Sequence, residues 1–140
     1  MKKYVLGFLF SEDKKAVVLI KKNRPDWQKG LWNGVGGHIE KNELPISAFI
    51  REFKEETGVL LSDNQVSSFG VMRFKSAEVF LFRAFNSKLL CNVKTTTDET
   101  IRIFYLDSYE VRSKSIYNLS WLIPMALSDV VGYAKIEHSI

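Results

Sequence analysis

The chain has 140 residues, 46% of them hydrophobic and 26% charged, which is about one domain with enough apolar material for a full core. Twenty Lys and Arg against 16 acids give a net charge of +4, a mild excess that suits phosphates, nucleic acid or an anionic surface without choosing among them. One cysteine, Cys91, and two histidines, His38 and His138, exclude an internal disulfide and a CxxC site and argue against a multi-histidine centre; any metal is left to carboxylates, which favours Mg²⁺ or Mn²⁺. No apolar run approaches the roughly 20 residues that span a bilayer. Tyr4–Phe10 is short and has no small-residue cleavage site behind it, so it reads as a strand rather than a signal peptide. With the cysteine usage, this predicts a cytoplasmic protein.

In chain order, Tyr4–Phe10 and Ala16–Ile20 are β-rich apolar runs joined by the polar turn Ser11–Lys15, a hairpin pattern. Asn23–Leu31, with Pro25 and Gly30, reads as a loop. Trp32–Ile39 holds three glycines and reads as a short strand or loop with exposed backbone. From Pro45 the period changes: Ile46, Phe49, Ile50 and Phe53 recur at i, i+3, i+4, i+7, an amphipathic helix with Pro45 in its first turn and Gly58 as its stop. Val66–Phe74, Val79–Phe85 and Ile101–Leu106 read as strands, and Asn86–Thr100 as a long polar connection. Asn118–Leu127 reads as a terminal helix, bent or restarted near Pro124. The pattern is mixed α/β, and residues 1–140 read as a single domain.

Five of the 16 acids fall between Glu40 and Glu56. Glu52, Glu55 and Glu56 share one helix face, where like charges repel by several tenths of a kcal/mol per pair. They also lie in the last turn, where the helix dipole disfavours negative charge. A divalent cation relieves both penalties. Alone, the stretch reads more readily as a solvated acidic face balanced by Arg51 and Lys54. Its surroundings decide otherwise. Gly37, Glu43, Arg51, Glu52, Glu55, Glu56 and Gly58 stand in the spacing G-x5-E-x7-R-E-U-x-E-E-x-G-U, with Phe53 and Val59 at the U positions. This resembles the Nudix box, the signature of the Nudix hydrolases, with all seven fixed positions filled. Phe53 is bulkier than the aliphatic residue usual there. The flanking elements extend the resemblance over the chain and imply the Nudix fold, a mixed β-sheet sandwiched between helices.

The resemblance implies Mg²⁺-dependent (or Mn²⁺-dependent) hydrolysis of a diphosphate linkage in a nucleoside diphosphate joined to a further group. It makes Glu52, Glu55 and Glu56 metal ligands, with the Gly37 carbonyl as another. An Arg51–Glu43 pair would pin the loop to the helix and orient the adjacent carboxylates. Gly36 and Gly37 allow close backbone approach to helix, metal and substrate. The water-activating base is a box glutamate or a later acid, with Glu99 of Asp98-Glu99 the candidate; the alternative for Glu99 is an ordinary polar loop residue. Lys22 and Arg24, with Lys21, are candidates for the substrate phosphates, or else solvated surface cations. The run LWNGVGGHIE, preceded by RPDWQKG, is similar to MutT-type nucleoside triphosphate pyrophosphohydrolases, which makes Asn33 a candidate for reading a base edge. Trp27 precedes it, and Trp32 and Trp121 serve either as stacking surfaces or as core. His38 reads as structural or as surface. The expected substrate is a nucleoside triphosphate or a modified form of one. ADP-ribose or a dinucleoside polyphosphate is the alternative, and so is a catalytically silent nucleotide-sensing module. A nucleic-acid partner and a membrane partner are not expected, because Lys and Arg form no basic stripe; a homodimer is left open.

Overall fold

The structure, a computed structural model, describes residues 1–138; the last two residues of the expected domain lie outside them. In chain order the elements are β1 (Lys2–Phe10), β2 (Ala16–Lys21), β3 (Trp32–Asn33), β4 (Val35–His38), α1 (Pro45–Thr57), β5 (Val66–Arg73), β6 (Ala77–Phe85), α2 (Ser87–Leu90), β7 (Ile101–Tyr105), α3 (Tyr109–Lys114), α4 (Leu119–Leu127) and β8 (Ala134–Glu137). The expected hairpin, the strand–helix–strand order and the helix at Asn118–Leu127 are all present, although β8 follows that helix, which is therefore not the terminal element. The segment read as strand or loop resolves into two short strands broken at Gly34. Helix α4 runs through Pro124 as one element. Three elements were not anticipated. The connection after Phe85 holds α2, whose first turn is capped by the Asn86 side chain accepting from the Leu89 N–H. Helix α3 and strand β8 are each too short and too polar for a periodic signal to rise above that of a loop.

The sheet is mixed and splayed around β1. Strand β6 lies parallel to β1 along its whole length, from Lys2↔Ala77 to Phe10↔Phe85. The opposite edge of β1 is divided. Its first half pairs antiparallel with β4, from Tyr4↔His38 to Gly7↔Val35, whereas β2 meets it only at Phe10↔Val17. Strand β2 then turns away to pair with β3 and β7. On the far side, β5 pairs antiparallel with β6 and parallel with β8.

Both faces of this sheet are covered, which is why β1 and β2 read as continuous apolar runs instead of alternating ones. Val5 and Leu9 of β1, with Ala16, Val18 and Ile20 of β2, pack beneath α1 against Phe49 and Phe53. Leu6, Phe8 and Phe10, with Val17 and Leu19, pack on the other face with Trp32, Phe104, Val111 of α3 and Leu119, Leu122, Ile123 and Ala126 of α4. The result is the expected helix–sheet–helix sandwich.

Helix α1 carries the box. Pro45 opens it, where a missing N–H is no loss, and Gly58 closes it in the left-handed region at φ 77° with its N–H donating to the Lys54 carbonyl. Phe49 and Phe53 are fully buried, and Phe49 stacks on Phe82 at 5.5 Å between ring centroids. Each such aromatic side chain contributes on the order of 2–3 kcal/mol of burial. Phe53 therefore fills space in the core, and the bulk that departs from the family pattern is accommodated. With one face of α1 fixed to the sheet, the face bearing Arg51, Glu52, Glu55 and Glu56 is held toward the β4 loop.

Candidate active site

Arg51 is the hub of the site. Its Nε donates to Glu43 Oε2 at 2.8 Å and its Nη2 to Glu43 Oε1 at 2.9 Å, a two-pronged ion pair. Nη2 also donates to the His38 carbonyl at 3.0 Å, and Nη1 to Glu52 Oε1 at 2.9 Å and Glu55 Oε2 at 3.5 Å. One planar guanidinium thus ties the Glu40–Leu44 loop, the end of β4 and two box carboxylates together; lysine lacks the fork to do so. The guanidinium beside Glu43 holds that carboxyl below the usual range, and Glu43 and Glu52 in turn raise the pKa of Arg51.

Gly37 lies directly over Glu52. A Cβ at this position would stand 2.5–2.7 Å from the Glu52 carboxyl atoms, so only glycine lets the two approach. Gly36 faces the other way. A side chain there would run into the Val5 carbonyl, so its small size serves the β1–β4 packing.

Glu56 is the most perturbed carboxylate. Burial, opposed by Lys22 and reinforced by Glu52 and Glu99, pushes its pKa up to about 7. Its Oε2 is buried with no hydrogen-bond partner, an arrangement that normally carries a penalty of 1–3 kcal/mol. Burial also raises Glu52, against the pull of Arg51. Glu55 is more exposed, with 57% of its side chain accessible. Among the described residues no three His, Cys, Asp or Glu side chains form a ready-made metal cage: Arg51 holds Glu52 and Glu55, while one Glu56 oxygen is left unsatisfied. The donor set nevertheless fits a hard divalent cation. It is all oxygen, and an orphaned, buried carboxylate oxygen lies on the same helix face as two further carboxylates.

Glu99 lies 43 residues further on and is brought to this face by β7. It is 4% exposed. Lys22 Nζ donates to its Oε1 at 3.2 Å and the Asn23 N–H to its Oε2 at 2.6 Å, with Arg24 3.9 Å away. Arg24 also pairs with Asp98. Glu99, Lys22 and Arg24 therefore form one charged cluster, and the reading of Glu99 as an ordinary loop residue is replaced by a buried, bonded one. The Thr96 hydroxyl donates to the Glu55 carbonyl and the Lys94 N–H to the Thr57 carbonyl, tying this same connection to the last turn of α1.

The aromatic candidates divide. Trp32 is 2% exposed, sits edge-on to Phe104 at 4.7 Å and donates its indole N–H to Glu110, with Arg102 over the ring. This corrects the expectation that Trp32 offers a stacking surface to the substrate: it is the core alternative that holds, with no open face on which a base could stack. Trp121 packs half-buried on the same cluster. Trp27 is 67% exposed on the loop between β2 and β3. Asn33 is buried, its amide donating to Gln28 and accepting from the Gly34 N–H, so its polar edge is already engaged. His38 is exposed and its ring packs at a tilt against Tyr4, 4.6 Å between centroids, so its contribution to the site is its carbonyl. Sequence reasoning missed that carbonyl, along with Asn23, Asp98 and Thr96. Asp98 was visible beside Glu99, whereas backbone donors and acceptors leave no mark in a sequence.

The chain matches the NUDIX domain family model over residues 2–116. Nudix hydrolase 8 of Arabidopsis thaliana is 29% identical over 133 residues, covering 94% of this chain and 34% of that protein, so the chain spans about a third of the relative's length. A MutT structure from work on the Aliivibrio salmonicida and Vibrio cholerae proteins superposes with a TM-score of 0.61 at 23% identity, covering 74% of this chain and 79% of that one. A mutator MutT protein from Bacillus halodurans superposes with a TM-score of 0.70 at 19% identity, covering 99% and 91%. With the box, the splayed mixed sheet and the domain match in agreement, the chain belongs to the Nudix hydrolase family and has the MutT-type fold.

Proposed function

We propose that this chain is a divalent-metal-dependent pyrophosphohydrolase that cleaves a diphosphate linkage in nucleoside diphosphate compounds, with nucleoside triphosphates or their modified forms converted to monophosphate and pyrophosphate. The observation that carries this reading is the orphaned Glu56 oxygen beside Glu52 and Glu99, on a helix pinned by Arg51 to the loop over it. Glu52, Glu55, Glu56 and the Gly37 carbonyl would hold Mg²⁺ (or Mn²⁺), which supplies charge neutralisation on the phosphate oxygens and an activated water. Arg51 and Glu43 position these ligands, and Gly58 ends the helix where they sit. Lys22 and Arg24 face the substrate phosphates. Glu99, which shares the site with Glu56, is the candidate for holding the attacking water's proton. Asn33 and Gly36 shape the short β3–β4 segment beside the site, Asn33 by holding Gln28 and the Gly34 N–H and Gly36 by its close packing on β1. The substrate is a free nucleotide rather than nucleic acid or membrane, and residues 1–140 act as one cytoplasmic domain. No helix among the described residues is long and apolar enough to cross a membrane.

The test is a hydrolysis screen with and without Mg²⁺ over nucleoside triphosphates, ADP-ribose, dinucleoside polyphosphates and nucleotide sugars. Nucleoside triphosphates are expected to turn over fastest and only with the metal. Turnover of ADP-ribose in preference would replace the substrate assignment, and no turnover of any compound would leave a sensing module.

A further inference from the structure

We propose that Lys22 is a built-in counter-ion for the Glu56 and Glu99 carboxylates in the metal-free protein, which a divalent cation displaces and so frees to meet substrate phosphate. The inference rests on the reading of Glu56 as a metal ligand. The geometry is that of one ammonium paired with a buried acid, Glu99, at the edge of the half-buried Glu56, on whose carboxyl its charge also acts. The Lys22 side chain is 19% exposed and that of Glu99 6%, with the ion pair closed at 3.2 Å. Glu99 has a second partner in the Asn23 N–H, while Glu56 has an oxygen with none. Lys22 is the group whose charge offsets the burial of Glu56. Arg24 is the weaker partner: it reaches Glu99 only at 3.9 Å, and its largely exposed guanidinium is engaged by Asp98.

The backbone of Lys22 is fixed on both sides. The Lys22 N–H donates to the Leu31 carbonyl and its own carbonyl accepts from Gly30, so any exchange of partner is confined to the four-carbon stem. A compact ammonium on a flexible stem suits such an exchange, where a forked guanidinium does not. The ammonium would be repelled by a divalent cation held at Glu56, which would supply the counter-charge in its place.

The experiment is Mn²⁺ binding by isothermal titration, without nucleotide, to the wild type, Lys22→Met and Lys22→Arg. Lys22→Met is expected to bind at least about tenfold tighter, the scale set by removing a unit charge a few ångströms from a divalent ion. Its metal-free form is expected to melt lower than wild type, with the gap closing when Mn²⁺ is saturating. Lys22→Arg, which keeps the charge, is expected to stay close to wild type. A second measurement needs no variant. With ¹³Cε-labelled lysine, the Lys22 resonance of the wild type is expected to move on adding Mg²⁺ alone. Equal or weaker Mn²⁺ binding by Lys22→Met, or a Lys22 resonance indifferent to Mg²⁺ that the protein demonstrably binds, overturns the counter-ion role and leaves the metal site standing. A wild type that binds neither ion overturns both.

Discussion

Glu56→Gln tests whether the catalytic face is held in a strained condition when no metal is bound. The Glu56 carboxyl is moved from its ordinary value of 4.5 to about 7, first by burial and then by Glu52 and Glu99. At about 1.4 kcal/mol per tenfold change in proton affinity, ionising it in the folded protein is disfavoured by about 3 kcal/mol. The folded state holds this proton more tightly than the unfolded chain does. Its contribution to stability is therefore complete below pH 4.5 and is lost as the pH rises through 7. Glutamine removes the charge, and its amide N–H can donate to Glu52 or Glu99. The variant is thus expected to be more stable than wild type by about 2–3 kcal/mol at pH 8, or roughly 5–10 °C in Tm for a chain of this size. At pH 4.5 the advantage is expected to vanish. Saturating Mg²⁺ is expected to raise the wild-type Tm and leave the variant nearly unmoved, because a ligand stabilises only the state it binds. Thermal unfolding at the two pH values, with and without Mg²⁺, reads all of this. A variant less stable than wild type at pH 8, or a difference independent of pH, refutes the reasoning.

Arg51→Lys keeps the charge and loses the fork to Glu43, so a fall of about 2–3 kcal/mol in stability is expected from chemical denaturation. Pairing it with Glu43→Gln in a double-mutant cycle should show a coupling energy above about 1 kcal/mol, and additive effects would dissolve the pair. Because Arg51 depresses the Glu43 pKa, the stability from this pair is expected to persist through mildly acidic pH and fade only below the usual carboxylate range, a loss that Glu43→Gln should not show. Gly37→Ala forces its Cβ against the Glu52 carboxylate; circular dichroism should find the fold retained while kcat falls at least about tenfold, the scale of a misplaced catalytic group. Chelation by EDTA should abolish turnover, with recovery on adding Mg²⁺.

Much of this arrangement was legible in the sequence because its parts are local. The 3.6-residue period of Ile46, Phe49, Ile50 and Phe53 fixes which face of α1 is buried, and hence where Glu52, Glu55 and Glu56 point. Glu43 and Arg51 are eight residues apart across one loop, and both stand in the box, so their pairing was legible through the resemblance. Contacts made over long stretches of chain were not legible. Glu99 is buried because Lys22 and Asn23, 77 and 76 residues away, satisfy it, and only the β2–β7 pairing brings them together. Trp32 carries no sign of whether its ring faces Phe104 or solvent, since both environments favour an aromatic residue with one polar atom. The short helix Ser87–Leu90 owes its existence to the Asn86 cap and the burial of Leu90 rather than to any periodicity. The splay of β2 from β1 depends on β4 occupying the other half of that edge.

The most direct measurement is ³¹P NMR of a nucleoside triphosphate incubated with wild type, Glu55→Gln and Glu56→Gln, each with and without Mg²⁺. Nucleoside monophosphate and pyrophosphate should appear only with wild type and Mg²⁺. Turnover at the wild-type rate by both variants, turnover without metal, or release of orthophosphate and nucleoside diphosphate would contradict the account.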